Sequence, residues 1–577
     1  MSASSVFPAS AHHYVRSLTW ADRRSAGKVY TPSPLADLIV SRALDAHAQL
    51  GKGAVLDPAV GGGAFLEVLV KRLHAEHVAP RKRRPNRDAF LTLVEKSVFG
   101  IDIDKKAAAL AREAVATMVQ TLAPGPLPGG FLSRNIAVGD FLLDPVVEDL
   151  GLDGRLGLIV GNPPYVSATR LGSSYKERLR QRFATATGRL DLYMAFMEKA
   201  ASVLEDEGVL AFVTPDKYLT SQSARLLRRH LQESGTVVSL TLFSSHSLFE
   251  NADTVPCISV WRKGTSRART FEVQRWETNP GLGVLPARPP ERLPAKRLRG
   301  EVWDVTSERT NRMLEQLRRG HPRLQSLVSR VSAGIATGLD SAFRMAPNDR
   351  TSVEDSLLYT AIRGRDVRPY MIESTGERLF VPYTFDEAGR ARLIDIDAFP
   401  GAREWLTPHR ARLERRHCVR VWGKPWYAFH DPVLFDLAAV PKILLPDVSL
   451  TNRFALEPGS AIPLHSCYYI IPTGIDHGFL TAVLNSRPLE FIIRATAPRV
   501  KDGFRRYRAQ FLLDLPIPIP DSQTSATIVS ALQHQESEQV DRAVLRLFGV
   551  SLTELNDAFA AIECEGTSSL AEVVDAS

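Results

Sequence analysis

From Ala54 to about Val260 the chain alternates short β-rich runs with amphipathic helical stretches, and this alternation limits the folds open to it more than any other feature. Val55-Leu56, Val98–Asp102, Ile136–Val138, Leu158–Val160, Val209–Val213, Val237–Leu242 and Pro256–Trp261 have the composition of strands. Between several of them the apolar spacing predicts helices over Ala64–His74, Lys105–Gln120, Leu190–Leu204 and Ser221–Glu233. Repeated β-α units specify an α/β fold, a mostly parallel sheet with helices on both faces, because parallel neighbours need crossover connections. The last two runs are joined only by Phe243–Val255, so the sheet is expected to end in an antiparallel pair.

At 577 residues the chain exceeds one ordinary core. Its composition, 44% hydrophobic and 24% charged, is that of a soluble globular protein. There is no run of 18 apolar residues, and Met1–Ser10 lacks the charged-then-apolar order of a secretory signal, so a cytoplasmic protein without a membrane partner is expected. Cys257, Cys418, Cys467 and Cys564 stand apart, with no C-x-x-C and no histidine pair at ligand spacing, which argues against disulfides and a metal site.

Residues 278–300 hold five prolines and little periodicity and predict a linker. The expected organisation is an extension over 1–24, a β-α domain over 25–277, a Pro-rich linker over 278–305, a mixed, loop-rich domain over 306–520, and a helical segment with an acidic tail over 521–577. In the loop-rich domain Lys442–Leu445 and Cys467–Ile471 are strand-like, and Leu480–Arg494 looks helical, as does Thr527–Leu547 further on. Net charge is +8, yet residues 551–577 carry six acids and no Lys or Arg, leaving +14 on the rest. Basic clusters at Arg410–Arg420 and Arg499–Arg508 stand beside Trp422, Trp426, Phe504 and Tyr507, which favours a polyanionic partner. A third, Arg81–Arg84 with Arg87, lies in a Pro-containing loop and suits solvated surface charge.

Four short motifs follow one another on the β-α pattern. Val55-Leu-Asp-Pro-Ala-Val-Gly-Gly-Gly-Ala-Phe-Leu66 is a strand, a glycine turn and a helix start, with Asp57 at the strand end and glycines that let backbone approach a ligand. No Lys-Ser or Lys-Thr follows, so a nucleoside triphosphate is disfavoured. Gly100-Ile-Asp-Ile-Asp104 places Asp102, with Asp104 as fallback, where an acid grips a ribose, and Gly139-Asp-Phe141 places Asp140 after the third strand. Gly161-Asn-Pro-Pro-Tyr-Val166 then closes the fourth strand with an amide, two stiff prolines and a phenol.

This motif order resembles the S-adenosylmethionine-dependent DNA adenine-N6 methyltransferases. Gly27-Lys-Val-Tyr-Thr-Pro32, lying before the glycine turn, resembles their additional cofactor motif and marks the gamma-class order. Val60 and Gly62 stand where that family commonly has Cys and Ser. Downstream, Val331–Asp340, Ile362–Asp366, Pro441–Leu444, Leu484–Ser486 and Leu515–Pro518 resemble the target-recognition domain of TaqI-like modification enzymes of restriction-modification systems. The resemblance implies a Rossmann-like methyltransferase sheet, S-adenosyl-L-methionine as cofactor and double-stranded DNA as partner. It assigns catalysis to Asn162, Pro163, Pro164 and Tyr165, with Phe249 closing the other face of a flipped-out adenine. Cofactor binding falls to Tyr30, Thr31, Pro32, Asp57, Ala59, Gly61, Gly63, Asp102, Asp140 and Phe141, and DNA contacts to Arg363, Arg365, Arg415, Arg416, Arg505 and Arg506. No metal is implied.

Three alternatives use similar motifs: an RNA adenine-N6 methyltransferase, a protein glutamine-N5 methyltransferase, and a DNA-binding protein that keeps an inactive fold. The glutamine enzymes have no use for a basic second half, and intact motifs disfavour an inactive fold. The segments flanking the motifs are short for a nuclease, so a monomeric modification enzyme is expected, with any restriction endonuclease or other defence-system subunit on a separate chain.

Overall fold

The computed structural model describes residues 31–46, 52–78, 86–167, 170–188, 191–243, 255–264, 268–279, 283–286, 289–433, 437–497, 500, 503–534 and 536–563. They fall into two compact units divided between Ser307 and Glu308. Among the described residues no helix is long and apolar enough to cross a membrane.

The first unit begins with α1 (Ser33–Ala46), which buries Leu35, Ala36, Ile39, Val40 and Ala43 along one stripe. The elements that follow are β1 (Ala54–Asp57), α2 (Ala64–Val78), α3 (Arg87–Ser97), β2 (Val98–Asp102), α4 (Lys105–Leu122), β3 (Ile136–Val138), α5 (Val146–Asp149) and β4 (Leu156–Gly161). Next come α6 (Ser173–Arg182), α7 (Leu192–Val203), β5 (Leu204–Pro215), α8 (Arg225–Ser234), β6 (Gly235–Phe243) and β7 (Pro256–Lys263). Every residue of β1 and of β4 is buried, as suits parallel strands covered on both faces. One apolar cluster joins the sheet to α1, α2, α3 and α4, and another joins it to α7 and α8.

The expected antiparallel pairing is present, β7 lying between β5 and β6, but the sheet does not end there. A further strand, β8 (Thr270–Asn279), runs parallel to β6, and β9 (Gly283–Pro286) and β10 (Glu291–Pro294) pair with β8. The ten-stranded order is β10-β8-β6-β7-β5-β4-β1-β2-β3, with β9 off that path on β8. The proline-rich stretch is therefore not a free linker. Prolines at strand ends and on an outer strand cost no ladder bond, and Leu293, Leu298, Trp303 and Val305 are buried in the core.

In the second unit Val328–Ala333, Cys467–Pro472, Lys442–Pro446 and Ala455–Glu457 form an antiparallel sheet in that order. Arg344–Met345, Arg378–Phe380, Leu358–Ile362 and Ala461–Pro463 form a mixed sheet, its last two strands parallel. The single helix expected over 480–494 is two, His477–Asn485 and Arg487–Thr496, because Pro488 lacks the N–H to continue the first. The helix expected over 527–547 is likewise two, Ser522–Gln533 and Ser537–Phe548. Part of the expected acidic tail is a core helix, Leu552–Glu563, which buries Leu555, Ala558 and Ile562. A reciprocal Ser551–Glu554 capping box starts it.

Candidate active site

The direction of strand crossover reverses between β1 and β4, and in such sheets ligands bind beyond the carboxyl ends of the strands at that point. Asp57 ends β1, Asp102 ends β2, Asp140 follows β3 and Asn162 follows β4, so the four motifs share one edge. Beneath that edge Asp57 is fully buried, and one oxygen accepts the Ala59 N–H at 3.1 Å. Its other oxygen is buried without a partner. Desolvation, with a smaller contribution from the nearby Asp102 charge, pushes its carboxyl up to about 8. A Cβ on Gly161 would lie 2.8 Å from the Asp57 carboxylate, so the glycine before Asn162 lets the β1 and β4 ends meet.

The glycine turn is held by the neighbouring strand. Gly61 has φ +52°, and its N–H donates to the Asp102 carboxylate at 2.9 Å. The other Asp102 oxygen accepts the Asp104 N–H at 2.8 Å, while Asp104 itself caps α4 by accepting the Lys106 N–H. Asp102 thus faces the turn, and the fallback Asp104 has a helix-capping role. Gly63 serves packing: at φ +90° its missing Cβ leaves room for Ala111 of α4, 3.1 Å from where that atom would stand. Between the two acids Ile103 is 69% exposed, an apolar surface on the ligand edge that the motif pattern does not single out beyond its place between two acids.

Asp140 is more engaged than expected. One oxygen accepts the Leu142 N–H at 2.9 Å and the other the Tyr175 hydroxyl at 2.9 Å. Tyr175 lies on α6, a helix whose other residues are charged or polar apart from the buried Leu179, and nothing but its aromatic character marks it in the sequence. Phe141 is 2% exposed, with its ring on Phe196 and the Lys199 ammonium 5.0 Å from the ring centre. It supports the edge from within the core rather than facing a ligand.

At the end of β4 the Asn162 Nδ2 donates to the Thr31 hydroxyl at 3.1 Å, and the Asn162 Oδ1 is buried with no hydrogen-bond partner. Tyr165 is anchored by its hydroxyl, which donates to the Val213 carbonyl at 3.0 Å, and its half-buried ring meets Tyr193 edge-on at 6.3 Å. Pro163 is buried and Pro164 half-buried. Tyr30 and Phe249 lie outside the described residues; Pro32 leads into α1, where its carbonyl accepts the N–H groups of Leu35 and Ala36.

In the second unit several of the expected DNA-contacting arginines are structural. Arg416 is 9% exposed and donates to the carbonyls of Leu413, Thr337, Trp426 and Ala428, so it cannot reach a phosphate. Arg363 is tied to Glu377, as are Arg344 and the more exposed Arg365. Arg505 is buried in a two-residue strand, and Arg506 pairs with Asp447 at 3.5 Å. Arg415 is exposed, together with Arg410, Arg412 and Arg420. Val421 and Trp422 follow them, 65% and 54% exposed. Among the described residues no group of acids, histidines and cysteines could hold a metal ion.

Two family models match the chain, one in each half. Residues 96–249 match the Eco57I restriction-modification methylase family, and residues 359–517 match the TaqI-like C-terminal specificity domain. The chain carries a restriction-modification methylase domain and a TaqI-like specificity domain, the make-up of a restriction-modification DNA methyltransferase. This methyltransferase is 27% identical to the type II methyltransferase M.PaeR7I of Pseudomonas aeruginosa over 92% of both chains. It is 25% identical to M.BstVI of Geobacillus stearothermophilus over 92% of this chain and 97% of that one. The fold resembles that of the type IIL restriction-modification enzyme MmeI, solved in complex with DNA, with a TM-score of 0.63 at 16% identity over 97% of this chain and 82% of that one. S-adenosylmethionine is the cofactor of the methyltransferase. The turn fits such a group: Gly61 is in the left-handed region with only the Ala59 carbonyl, at 3.9 Å, near its Cβ position.

Proposed function

We propose that the methyltransferase modifies the N6 amino group of an adenine turned out of duplex DNA. The observation that carries this is the Asn162 amide at the end of β4, pinned through its nitrogen and unpaired at its oxygen.

Adenine N6 is a weak nucleophile because its lone pair is delocalised into the ring. An acceptor that takes an N6 hydrogen draws the nitrogen toward tetrahedral geometry and frees that lone pair. The Asn162 Oδ1 supplies one acceptor and the Pro163 carbonyl a second, on a backbone that two prolines keep rigid. Tyr165, fixed at its hydroxyl end, offers a flat face to a base that must leave the stack to reach the site. The Oδ1 is closed to water here, so the groups that cover it must move for a base to reach it. S-adenosylmethionine, when bound, supplies an electrophilic methyl group. Asp102, the Gly61 turn, Asp140 and the exposed Ile103 are the residues to hold it, with Asp57 supporting the turn from below.

Duplex DNA as substrate is supported by the TaqI-like specificity match and by the exposed basic face of Arg410, Arg412, Arg415 and Arg420 around Val421 and Trp422. An endonuclease is the partner such modification implies. Replacing Asn162 with Ala removes one acceptor and should lower turnover about a hundredfold, with cofactor affinity nearly unchanged. Methylation of an adenine-containing duplex and calorimetric cofactor binding, measured on the same variant, check this. Turnover near the wild-type level would exclude Asn162 as the acceptor, and labelled methyl entering RNA instead of DNA would move the substrate class.

A further inference from the structure

Thr31 belongs to the segment expected to contact the cofactor, yet its hydroxyl is engaged elsewhere. It is 6% exposed and accepts the Asn162 Nδ2–H at 3.1 Å across 131 residues of chain. The segment leads directly into α1, whose first N–H groups are taken up by the Pro32 carbonyl and whose apolar stripe is buried in the sheet's core. The hydroxyl is therefore carried on a rigid element.

An asparagine amide turns easily about its last torsion, and its two ends do opposite jobs. With the oxygen toward the amino group of the base, the amide accepts; with the nitrogen there, donor faces donor and the interaction is lost. In this structure only the nitrogen has a partner, and the oxygen is buried and unpaired.

We infer that Thr31 is a positioning residue for methyl transfer, holding the Asn162 amide with its oxygen toward the substrate amino group, an inference that rests on the adenine-N6 role proposed for Asn162. The bond acts before the base arrives, so it contributes to turnover and not to cofactor capture. Removing it leaves a buried Nδ2 that gains a partner only by turning toward the base or drawing in water.

Thr31→Val keeps shape and branching but removes the hydroxyl, and Thr31→Ser keeps the hydroxyl and loses the methyl. With the full chain and duplex DNA, Thr31→Val should lower kcat tenfold or more, with the cofactor dissociation constant within about twofold of wild type. Thr31→Ser should restore most of the turnover. In an Asn162→Ala background, Thr31→Val should cost nothing further, since no amide remains to orient. A Thr31→Val enzyme that keeps its kcat would overturn the inference, as would one whose loss is confined to cofactor affinity, which would return Thr31 to the cofactor. A further fall in kcat in the double variant would overturn it too. Should Thr31→Val fail to fold by thermal melt, Thr31→Ser decides the matter: it alone removes a methyl without a bond, and a loss of kcat there would exclude the hydroxyl as the cause. The two hypotheses part at Asn162→Ala alone: full activity in that variant sinks the acceptor role itself, whatever Thr31 does.

Discussion

Asp57 combines full burial, one backbone donor and a second oxygen with no partner, so its protonation is set by desolvation more than by any contact. Its folded-state value of about 8 lies above the ordinary carboxylate value, so between roughly pH 4 and about 8 the unfolded chain ionises here while the native chain holds its proton. The native state then binds more protons than the unfolded one, and this residue's contribution to stability falls as pH rises through that window and levels off above it. Asp57→Asn removes the dependence. Urea melts of the cofactor-free protein at pH 5.5 and 7.5 should show the variant losing less stability than wild type over that interval, by about 1.4 kcal/mol per pH unit at most. Equal slopes would mean that the carboxyl is ionised and solvated in the native state. Asp57, Asp102, Asp140 and Asn162 were legible in the sequence because chain order alone sends the ends of parallel strands to one edge. The partners were not. That Thr31 would meet Asn162, that Tyr175 would take an Asp140 oxygen, and that Phe141 would turn into the core are products of packing between distant segments.

At the scale of elements, the segment from Arg410 to Trp422 shows why charge clusters misjudge contacts. Two short helices, Arg410–Glu414 and His417–Arg420, are fastened by Arg416, whose guanidinium satisfies four carbonyls from separate stretches, including Thr337. Neighbouring arginines look identical in sequence, but only those pointing outward remain for a polyanion. Just past them Trp422 is braced edge-on by His417 at 5.2 Å and by a tilted His430 ring at 5.1 Å, with Lys424 tied to the Phe429 and His430 carbonyls. A braced aromatic tip in a basic surface suits contact with unstacked bases. Trp422→Ala should weaken duplex binding about tenfold with little change in melting temperature. Arg416→Ala should do the reverse: lower the melting temperature, at a cost of at least ~2 kcal/mol from orphaned carbonyls, and affect DNA affinity only through unfolding. Fluorescence anisotropy and thermal melts on both variants separate the two roles, and a Trp422 variant with unaltered affinity would remove this tip from the DNA surface.

At the scale of the whole molecule, the proline-rich stretch sets where the chain can be cut. Its composition signals a linker, and a catalytic fragment ending near Ser266 would retain every proposed catalytic and cofactor residue. The sheet pairing rules that cut out. It would strip β8 from the edge of β6, expose a row of unpaired backbone groups, and remove Phe271, Val273, Leu293, Leu298, Trp303 and Val305 from the core. Prolines mislead here because they are counted as breakers, whereas at strand ends they are tolerated without loss of a ladder bond. A fragment ending at Ser307 keeps the ten strands together and stops where the two compact units divide. It should be soluble, melt cooperatively and bind S-adenosylmethionine with an affinity close to that of the full chain. Duplex DNA should bind it weakly and with a flatter salt dependence, because the exposed arginines of the second unit, and the phosphate contacts proposed for them, are gone. The fragment ending at Ser266 should aggregate. If instead the longer fragment binds duplex as tightly as the full chain and methylates the same sites, target recognition would lie in the first unit, and the basic face around Trp422 would need another polyanion as its partner.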